Sequence, residues 1–310
     1  MRFTNKYGLN APLFHALIWD SYSRGKANIS VTGLLKSPRQ RILTDRHQDE
    51  ITMDASENLW TLLGRSVHNV LRESAKRTEK LIDAIAEERL FVKVKGPKGE
   101  WTLSGEFDLL YKDGSQLVLT DYKALSVYSW IFEQKNGGVK KDHEQQLAIY
   151  RWMLSKYGFN VDRLEISMIF RDWKQGEAEK SIAAGKTDYP QAPIMVVPVA
   201  LWSLEDTERF VNERIALHQE AEERGDEALP HCTDDERWVR GDSYAVIKGA
   251  SKRAFRVFGN DVEANACAQE IGGKVEFRKG KAQKCPLYCT SRLFCSQYQQ
   301  EITNANPVTV

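Results

Sequence analysis

Two aspartates and a lysine, Asp108, Asp121 and Lys123, stand on neighbouring apolar stretches, Gly105–Tyr111 and Gln116–Lys123. Between the stretches lies Lys112-Asp113-Gly114-Ser115, and an Asp-Gly pair flanked by apolar runs is a strong hairpin signal. Side chains alternate faces along a strand, so Asp121 and Lys123 project the same way. With the turn centred on Asp113-Gly114, Glu106 pairs opposite Asp121, and Asp108 lies diagonal to it on the same face. Diagonal neighbours are roughly 7–8 Å apart, close enough for two carboxylates to share one hydrated cation. Two acids and a lysine among Leu110, Leu117 and Leu119 are costly unless a metal or a substrate compensates them. Mg²⁺ or Mn²⁺ takes such hard oxygen ligands, polarises phosphoryl oxygens and lowers the pKa of a bound water. Lys123 would orient or deprotonate that water, or stabilise charge in the transition state. The group therefore suits hydrolysis of a phosphodiester. The competing reading is an ordinary ion pair on an edge strand.

The flanking patterns say what must position these groups. Asp142–Leu154 reads as a helix with Asp142 as N-cap and Gln145 closing a capping box. Gln146 and Tyr150 stand at i and i+4 on one face of it. Ser56 to Glu73 reads as a second helix, with an apolar stripe of Leu59, Leu63, Val67, Val70 and Leu71. Inside it, His68 follows by four residues a glycine, Gly64, that permits close backbone packing. A further helix is expected over Leu81–Glu88, then a strand from Leu90 to Val94, with the Gly96–Gly99 turn leading to Trp101–Leu103. Strands are also expected at Leu164–Arg171 and Ile194–Val199, and a charged amphipathic helix at Leu204–Glu223. The polar stretch Lys174–Gln191 reads as a structureless surface insertion. Residues 1–28 read as an irregular or helical lead-in, and Ile302–Val310 as a frayed tail.

Gly64-x-x-x-His68, Gly105-x-x-Asp108, Asp121-x-Lys123 and Gln146-x-x-x-Tyr150, in this order, resemble the motif set of the PD-(D/E)xK nuclease superfamily. Within it the chain looks like the RecB-type exonuclease branch, which includes CRISPR-associated and many phage-encoded nucleases. The resemblance covers residues 29–200 by motif and extends to the cysteine-bearing tail. It implies an α/β, restriction-endonuclease-like core, a mixed central sheet flanked by helices, with a helical N-terminal region and a cysteine-bearing C-terminal subdomain. The organisation then reads 1–28 lead-in, 29–225 nuclease core and 226–310 basic C-terminal subdomain. Carried onto this sequence, the family implies His68, Asp108, Asp121 and the Tyr122 carbonyl as ligands of Mg²⁺ or Mn²⁺. Lys123 becomes the catalytic lysine, Gln146 and Tyr150 support the site and contact the DNA strand, and Glu88 matches a helix glutamate.

Cys285, Cys289 and Cys295 place three thiols within eleven residues. Soft thiolates so close together suit Zn²⁺ or an iron–sulfur cluster, either of which wants a fourth ligand. Cluster-bearing RecB-type relatives draw the fourth from an N-terminal cysteine just before a Pro-Arg. Here Ser37 precedes Pro38-Arg39, which leaves Cys232, after Pro230, as the replacement. Cys267 sits in a helical pattern and reads as a small buried hydrophobe. The alternative is that all these cysteines are reduced and merely pack a terminal subdomain.

The net charge of +1 conceals an asymmetry. Residues 237–310 carry twelve Lys/Arg against six Asp/Glu, leaving about −5 elsewhere. Lys248, Lys252, Arg253, Arg256, Lys274, Arg278, Lys279, Lys281 and Lys284 could line a path for a phosphate backbone. Trp238, Tyr244 and Tyr288 could stack bases of single strands. No secretory signal and no long apolar run is recognisable, so a soluble cytoplasmic protein without disulfides is expected. Ala184-Gly185-Lys186-Thr187 imitates the end of a P-loop, but Lys180 stands where its first glycine belongs. Processive unwinding would then need a helicase or recombination partner. The expected function is a metal-dependent DNA exonuclease in recombination, repair or phage DNA processing; the alternative is a nuclease-fold DNA-binding scaffold.

Overall fold

The computed structural model describes residues 1–19, 25–78, 84–135 and 137–305. In chain order, β1 (Arg2–Thr4) and α1 (Ala11–Ile18) precede β2 (Ile29–Ser30), α2 (Val31–Leu35), α3 (Pro38–Arg46), β3 (Thr52–Asp54) and α4 (Leu59–Arg77). Next come β4 (Ile85–Gly96), β5 (Gly99–Asp113), β6 (Gln116–Leu125), α5 (Val127–Lys135), α6 (Lys141–Lys156) and β7 (Arg163–Phe170). They are followed by α7 (Gln175–Ala183), β8 (Ile194–Val199) and α8 (Leu204–Glu222). The remainder holds β9 (Ser243–Lys248), β10 (Arg256–Phe258), α9 (Asp261–Ile271), β11 (Gly273–Arg278), α10 (Lys284–Tyr288) and α11 (Ser296–Ala305).

The chain forms two compact units. The first comprises Met1–Leu35 and Thr52–Glu223. Its six-stranded sheet runs β2-β5-β6-β7-β8, with β4 also paired to β5. The β4–β5–β6 meander is antiparallel, β6 and β7 are parallel, and β8 is antiparallel to β7. A parallel pair needs a crossover, and α5 and α6 supply it. This is the mixed α/β architecture the sequence implies, a central mixed sheet flanked by helices. β6 buries four successive residues, Val118 to Asp121, as a central strand covered on both faces must. β8 alternates exposed and half-buried residues and carries Pro198, which an edge strand tolerates because no ladder donor is lost. α6 buries Leu147, Ala148, Ile149, Tyr150, Trp152, Met153 and Leu154, the all-round burial of a core helix.

Several expectations change here. The stretch from Ile85 to Glu88 belongs to β4 and is extended, not helical; Leu81 and its neighbours to 83 lie outside the described residues. Pairing with the long β5 outweighs the helix-like Ala-Glu-Glu-Arg pattern. α6 begins at Lys141, with Lys140 at the cap and no side-chain cap bond, so Asp142 sits inside the first turn, where its charge favours the helix dipole. The Lys174–Gln191 stretch holds α7, which buries Ala178 and Ser181. The P-loop imitation is the end of that helix, closed by Gly185 at φ +64°. The lead-in contributes β1, paired in parallel with β3, and Ile302–Ala305 continue α11. Leu59, Leu63 and Val70 of the α4 stripe are exposed rather than buried.

The second unit comprises Lys36–Ile51 together with the chain from Arg224 onward. Ser37 caps α3, accepting from the Gln40 N–H, with Pro38 in the first turn. Arg39 is 1 % exposed. Its guanidinium donates to the carbonyls of Leu229 and Pro230 and to Ser296 Oγ, tying α3 to the C-terminal segments. β10-β9-β11 form a three-stranded antiparallel sheet. α9 packs on one face of it through Ala264 and Ala268 against Val246. Among the described residues no helix is long and apolar enough to cross a membrane.

Candidate active site

The β5–β6 register decides which side chains meet. Asp113 pairs with Gln116 and Leu109 with Thr120, so the turn is Gly114-Ser115, one residue later than the sequence reading placed it. Gly114 takes φ +60°, which glycine adopts without strain. The register moves by two residues, so every side chain keeps its face. Asp108 moves from a diagonal position toward one opposite Asp121. Past Leu109 the ladder stops, and Asp108 Oδ2 instead accepts the Tyr122 N–H at 2.7 Å.

Around this hairpin several of the residues singled out in the sequence meet. His68, from α4, places Nδ1 3.1 Å from Asp108 Oδ1, and the Asp108 hydrogen bond raises its pKa above the usual histidine value. The His68 ring meets Tyr122 edge-on at 6.2 Å, and burial pushes the Tyr122 phenol up to about 12. Asp121 is 3 % exposed. Burial pushes its carboxyl up to about 6, against the opposing pull of Lys123. Lys123 Nζ lies 2.5 Å from Asp121 Oδ2, an ion pair with a buried carboxylate oxygen.

A chain of contacts holds the lysine. Lys123 Nζ donates to Gln146 Oε1 at 3.2 Å, and Gln146 Nε2 donates to the Tyr150 hydroxyl at 3.0 Å. The amide is thereby oriented with its oxygen toward the ammonium. Tyr150 is buried, and its ring fills the space beside Gly105: a Cβ there would stand 2.7 Å from Tyr150 Cε1. The glycine of Gly105-x-x-Asp108 thus exists to admit the tyrosine of Gln146-x-x-x-Tyr150. Gly64 has no such role, since a Cβ on it would meet nothing within 4 Å.

Glu88 does not join the group. It is exposed on β4 and pairs across from Phe107, while its neighbour Arg89 pairs with Glu106. By strand alternation Glu88 shares the face of Phe107 and not that of Asp108. Sequence reasoning also missed His143. Burial, then Lys123 and Lys140, push its imidazole down to about 3, and its buried Nδ1 has no partner among the described residues. The available signal was its place one helical turn before Gln146.

In the second unit, Cys232, Cys285, Cys289 and Cys295 line one small cavity with Arg39 and Arg292. Ser37 Oγ lies 2.9 Å from Cys232 Sγ. Cys267 packs instead beside Val246, Ala264 and Ala268. Burial pushes the Cys232 thiol up to about 11 and also raises Cys285. Trp238 and Tyr288 lie 5.3 Å apart with Lys284 over the Trp238 ring, whereas Tyr244 packs with Phe277 in the small sheet. Among the described residues, no three His, Cys, Asp or Glu side chains are drawn together as a preassembled metal site.

A family model described as the PD-(D/E)XK nuclease superfamily matches residues 12–296. The crystal structure of SSO0001 is similar over 66 % of this chain and 82 % of its own, with 16 % identity and a TM-score of 0.43. No curated protein matches the chain.

Proposed function

The chain belongs to the PD-(D/E)XK nuclease superfamily, and from that premise we propose that it is a Mg²⁺- or Mn²⁺-dependent DNA exonuclease of the RecB type. The observation that carries this reading is the buried Asp121 carboxylate, whose pKa stays raised by burial despite its ion pair with Lys123. Burying a carboxylate without full compensation is costly, and a cation is the natural compensation. Asp108, Asp121, His68 and the Tyr122 carbonyl would hold the metal. Their largely oxygen donor set fits a hard cation, which when bound polarises the scissile phosphate and acidifies a water. Asp108 fixes the Tyr122 peptide through its N–H. Lys123 stands next to Asp121 to orient the attacking water or to neutralise charge building on the phosphoryl oxygens. Gln146 and Tyr150 keep that ammonium from swinging away. Water adds to phosphorus, the P–O bond to the leaving strand breaks, and the departing oxygen takes up a proton.

The four cysteines around the second unit's cavity fit a soft metal group by their chemistry. We assign them an iron–sulfur cluster or Zn²⁺, with Cys232 supplying the ligand that Ser37 lacks. Arg39, whose Nη1 lies 3.9 Å from Cys295 Sγ, would offset thiolate charge. Cys289→Ser should then lower iron or zinc content and the melting temperature together. A metal-free wild type whose melting temperature matches the variant's would refute that assignment. Action on DNA ends in recombination, repair or phage DNA processing, in the cytoplasm and beside a helicase or recombination partner, completes the proposal.

The test is cleavage of end-labelled single- and double-stranded DNA with Mg²⁺, Mn²⁺ or EDTA, comparing wild type with Lys123→Ala. Metal-dependent cutting lost by several orders of magnitude in the variant, with DNA binding kept within a few fold, is expected. Stepwise shortening from one end marks an exonuclease. Absence of cutting by a folded, DNA-binding wild type would overturn the reading.

A further inference from the structure

Between Cys232 and Cys285 the chain makes an excursion that supplies no cysteine to the cavity. It leaves and returns as a ribbon: Val239 bridges Ala282, Arg240 N–H donates to the Lys281 carbonyl, and Lys284 N–H donates to the Arg237 carbonyl. Beyond the ribbon stand β9, β10, α9 and β11.

This small module is electrically polarised. α9 carries Asp261, Glu263 and Glu270 and no lysine or arginine. The sheet and its turns carry Lys248, Lys252, Arg253, Arg256, Lys274, Arg278, Lys279 and Lys281. The sole acid on the strands, Glu276, is held by Arg278 at 2.7 Å. Lys248, Lys252, Arg253 and Lys274 are exposed and make no ion pair among the described residues.

The register also separates an apolar face. Tyr244, Val246 and Val275 pack toward α9. Val257 and Glu276 both pair with Ala245, and Lys274 pairs with Ile247, so these residues share the opposite face. Val257 on it is 51 % exposed; Phe255, just before β10 with its N–H on the Val246 carbonyl, is 61 % exposed. Exposed rings and aliphatics amid uncompensated cations are the two parts of a single-strand site, a stacking platform and a track for phosphates. Duplex bases are already stacked on each other and offer no free face to Phe255.

We propose that this face and the Lys248–Arg256 hairpin bind single-stranded DNA, one unpaired base stacking on Phe255 and phosphates contacting Lys252 and Arg253. The inference rests on the nuclease reading only for the choice of DNA as the strand.

The experiment measures anisotropy of fluorescein-labelled dT30 with the full-length chain in EDTA, where no cutting intervenes, across a salt series. Lys252→Glu/Arg253→Glu should weaken binding and flatten the slope of log K against log[salt] by about 1.4, two phosphate contacts of a single strand. Phe255→Ala should weaken binding about tenfold at every salt concentration, and Phe255→Tyr should restore it. All three positions are exposed, so circular dichroism should be unchanged. Wild-type affinity and slope in both variants would overturn the proposal. So would equal loss by Phe255→Ala toward base-free polyphosphate, or tighter binding of duplex DNA or of RNA than of dT30. Cleavage by a wild type whose hairpin variants bind normally refutes this site alone; hairpin effects in a chain that never cleaves refute the nuclease reading instead.

Discussion

Burial of Asp121 works against folding. Its carboxyl is raised to about 6 by desolvation, so the folded state holds this proton more tightly than the unfolded chain does. The sign follows from linkage: the penalty is absent below the ordinary carboxylate value, grows as pH rises through the interval, and is complete above about pH 6. A structural carboxylate would be selected the other way, toward a depressed pKa. Asp121→Asn, near-isosteric and uncharged, should therefore raise the melting temperature at pH 8 in EDTA and change it little at pH 4. Adding Mg²⁺ or Mn²⁺ should stabilise wild type and leave the variant unmoved. Thermal melts at the two pH values, with and without metal, check this; a variant less stable at pH 8 would mean that Asp121 is chiefly Lys123's structural counter-ion. That Asp121 and Lys123 lie side by side was legible because strand alternation alone puts them there. Tyr150's partner was not: that Gly105 must be bare for the ring to fit depends on packing between a strand and a helix far away in sequence.

At the level of elements, sequence period succeeded where one neighbour decides the outcome. β6 and α6 formed close to where they were read, although Asp142 lies inside α6 and not at its cap. The helix expected up to Glu88 gave way to a strand from Ile85 because Ala-Glu-Glu-Arg favours a helix only locally, while pairing along β5 favours a strand. The α4 stripe has a helical period, yet Leu59, Leu63 and Val70 face outward; periodicity reports amphipathicity, not what covers the face. Two substitutions test the positioning argument. Gly105→Ala would force its Cβ to within 2.7 Å of Tyr150 and 2.9 Å of Val31, and strain of this kind costs about 1–3 kcal/mol. The displaced ring would release Gln146 and then Lys123, so kcat should fall by about a hundredfold with DNA affinity nearly intact. Glu88→Ala, on the sheet face opposite that of Asp108, should leave the cleavage rate within about twofold, a change no larger than ~0.5 kcal/mol of activation energy. A rate loss in Glu88→Ala matching that of Gly105→Ala would mean that the strand assignment misplaces the site.

At the scale of the whole chain, Lys36–Ile51 belong to the same compact unit as the residues from Arg224 onward. Nothing in local composition marks that excursion, because the hydrogen bonds that define it span 179 to 257 residues. Arg39 reaches Pro230 and Ser296, and Arg46 and His47 reach Asp226. His47 also lies flat on Phe294, with ring centroids 4.1 Å apart and planes 6° from parallel. The hydrogen bonds to Asp226 and then Glu50 raise the His47 pKa, while Arg46 and then His47 lower that of Asp226. A raised histidine gives its stabilisation fully below the unfolded value, about 6.5, and loses it as pH climbs through the folded one. A depressed aspartate keeps its contribution above its ordinary value and loses it as pH falls toward the folded one. The ion pair therefore works best near pH 5–6. His47→Gln removes ring stacking at every pH but removes the charge pairing only in that window. The melting-temperature deficit of the variant should be largest near pH 5.5 and smaller at pH 9, the difference corresponding to less than ~1 kcal/mol for partners this exposed. It should shrink further in 1 M NaCl, where the screening length is only about 3 Å. A deficit equal at both pH values would show that stacking on Phe294, and not charge, fastens residues 36–51 to the C-terminal segments.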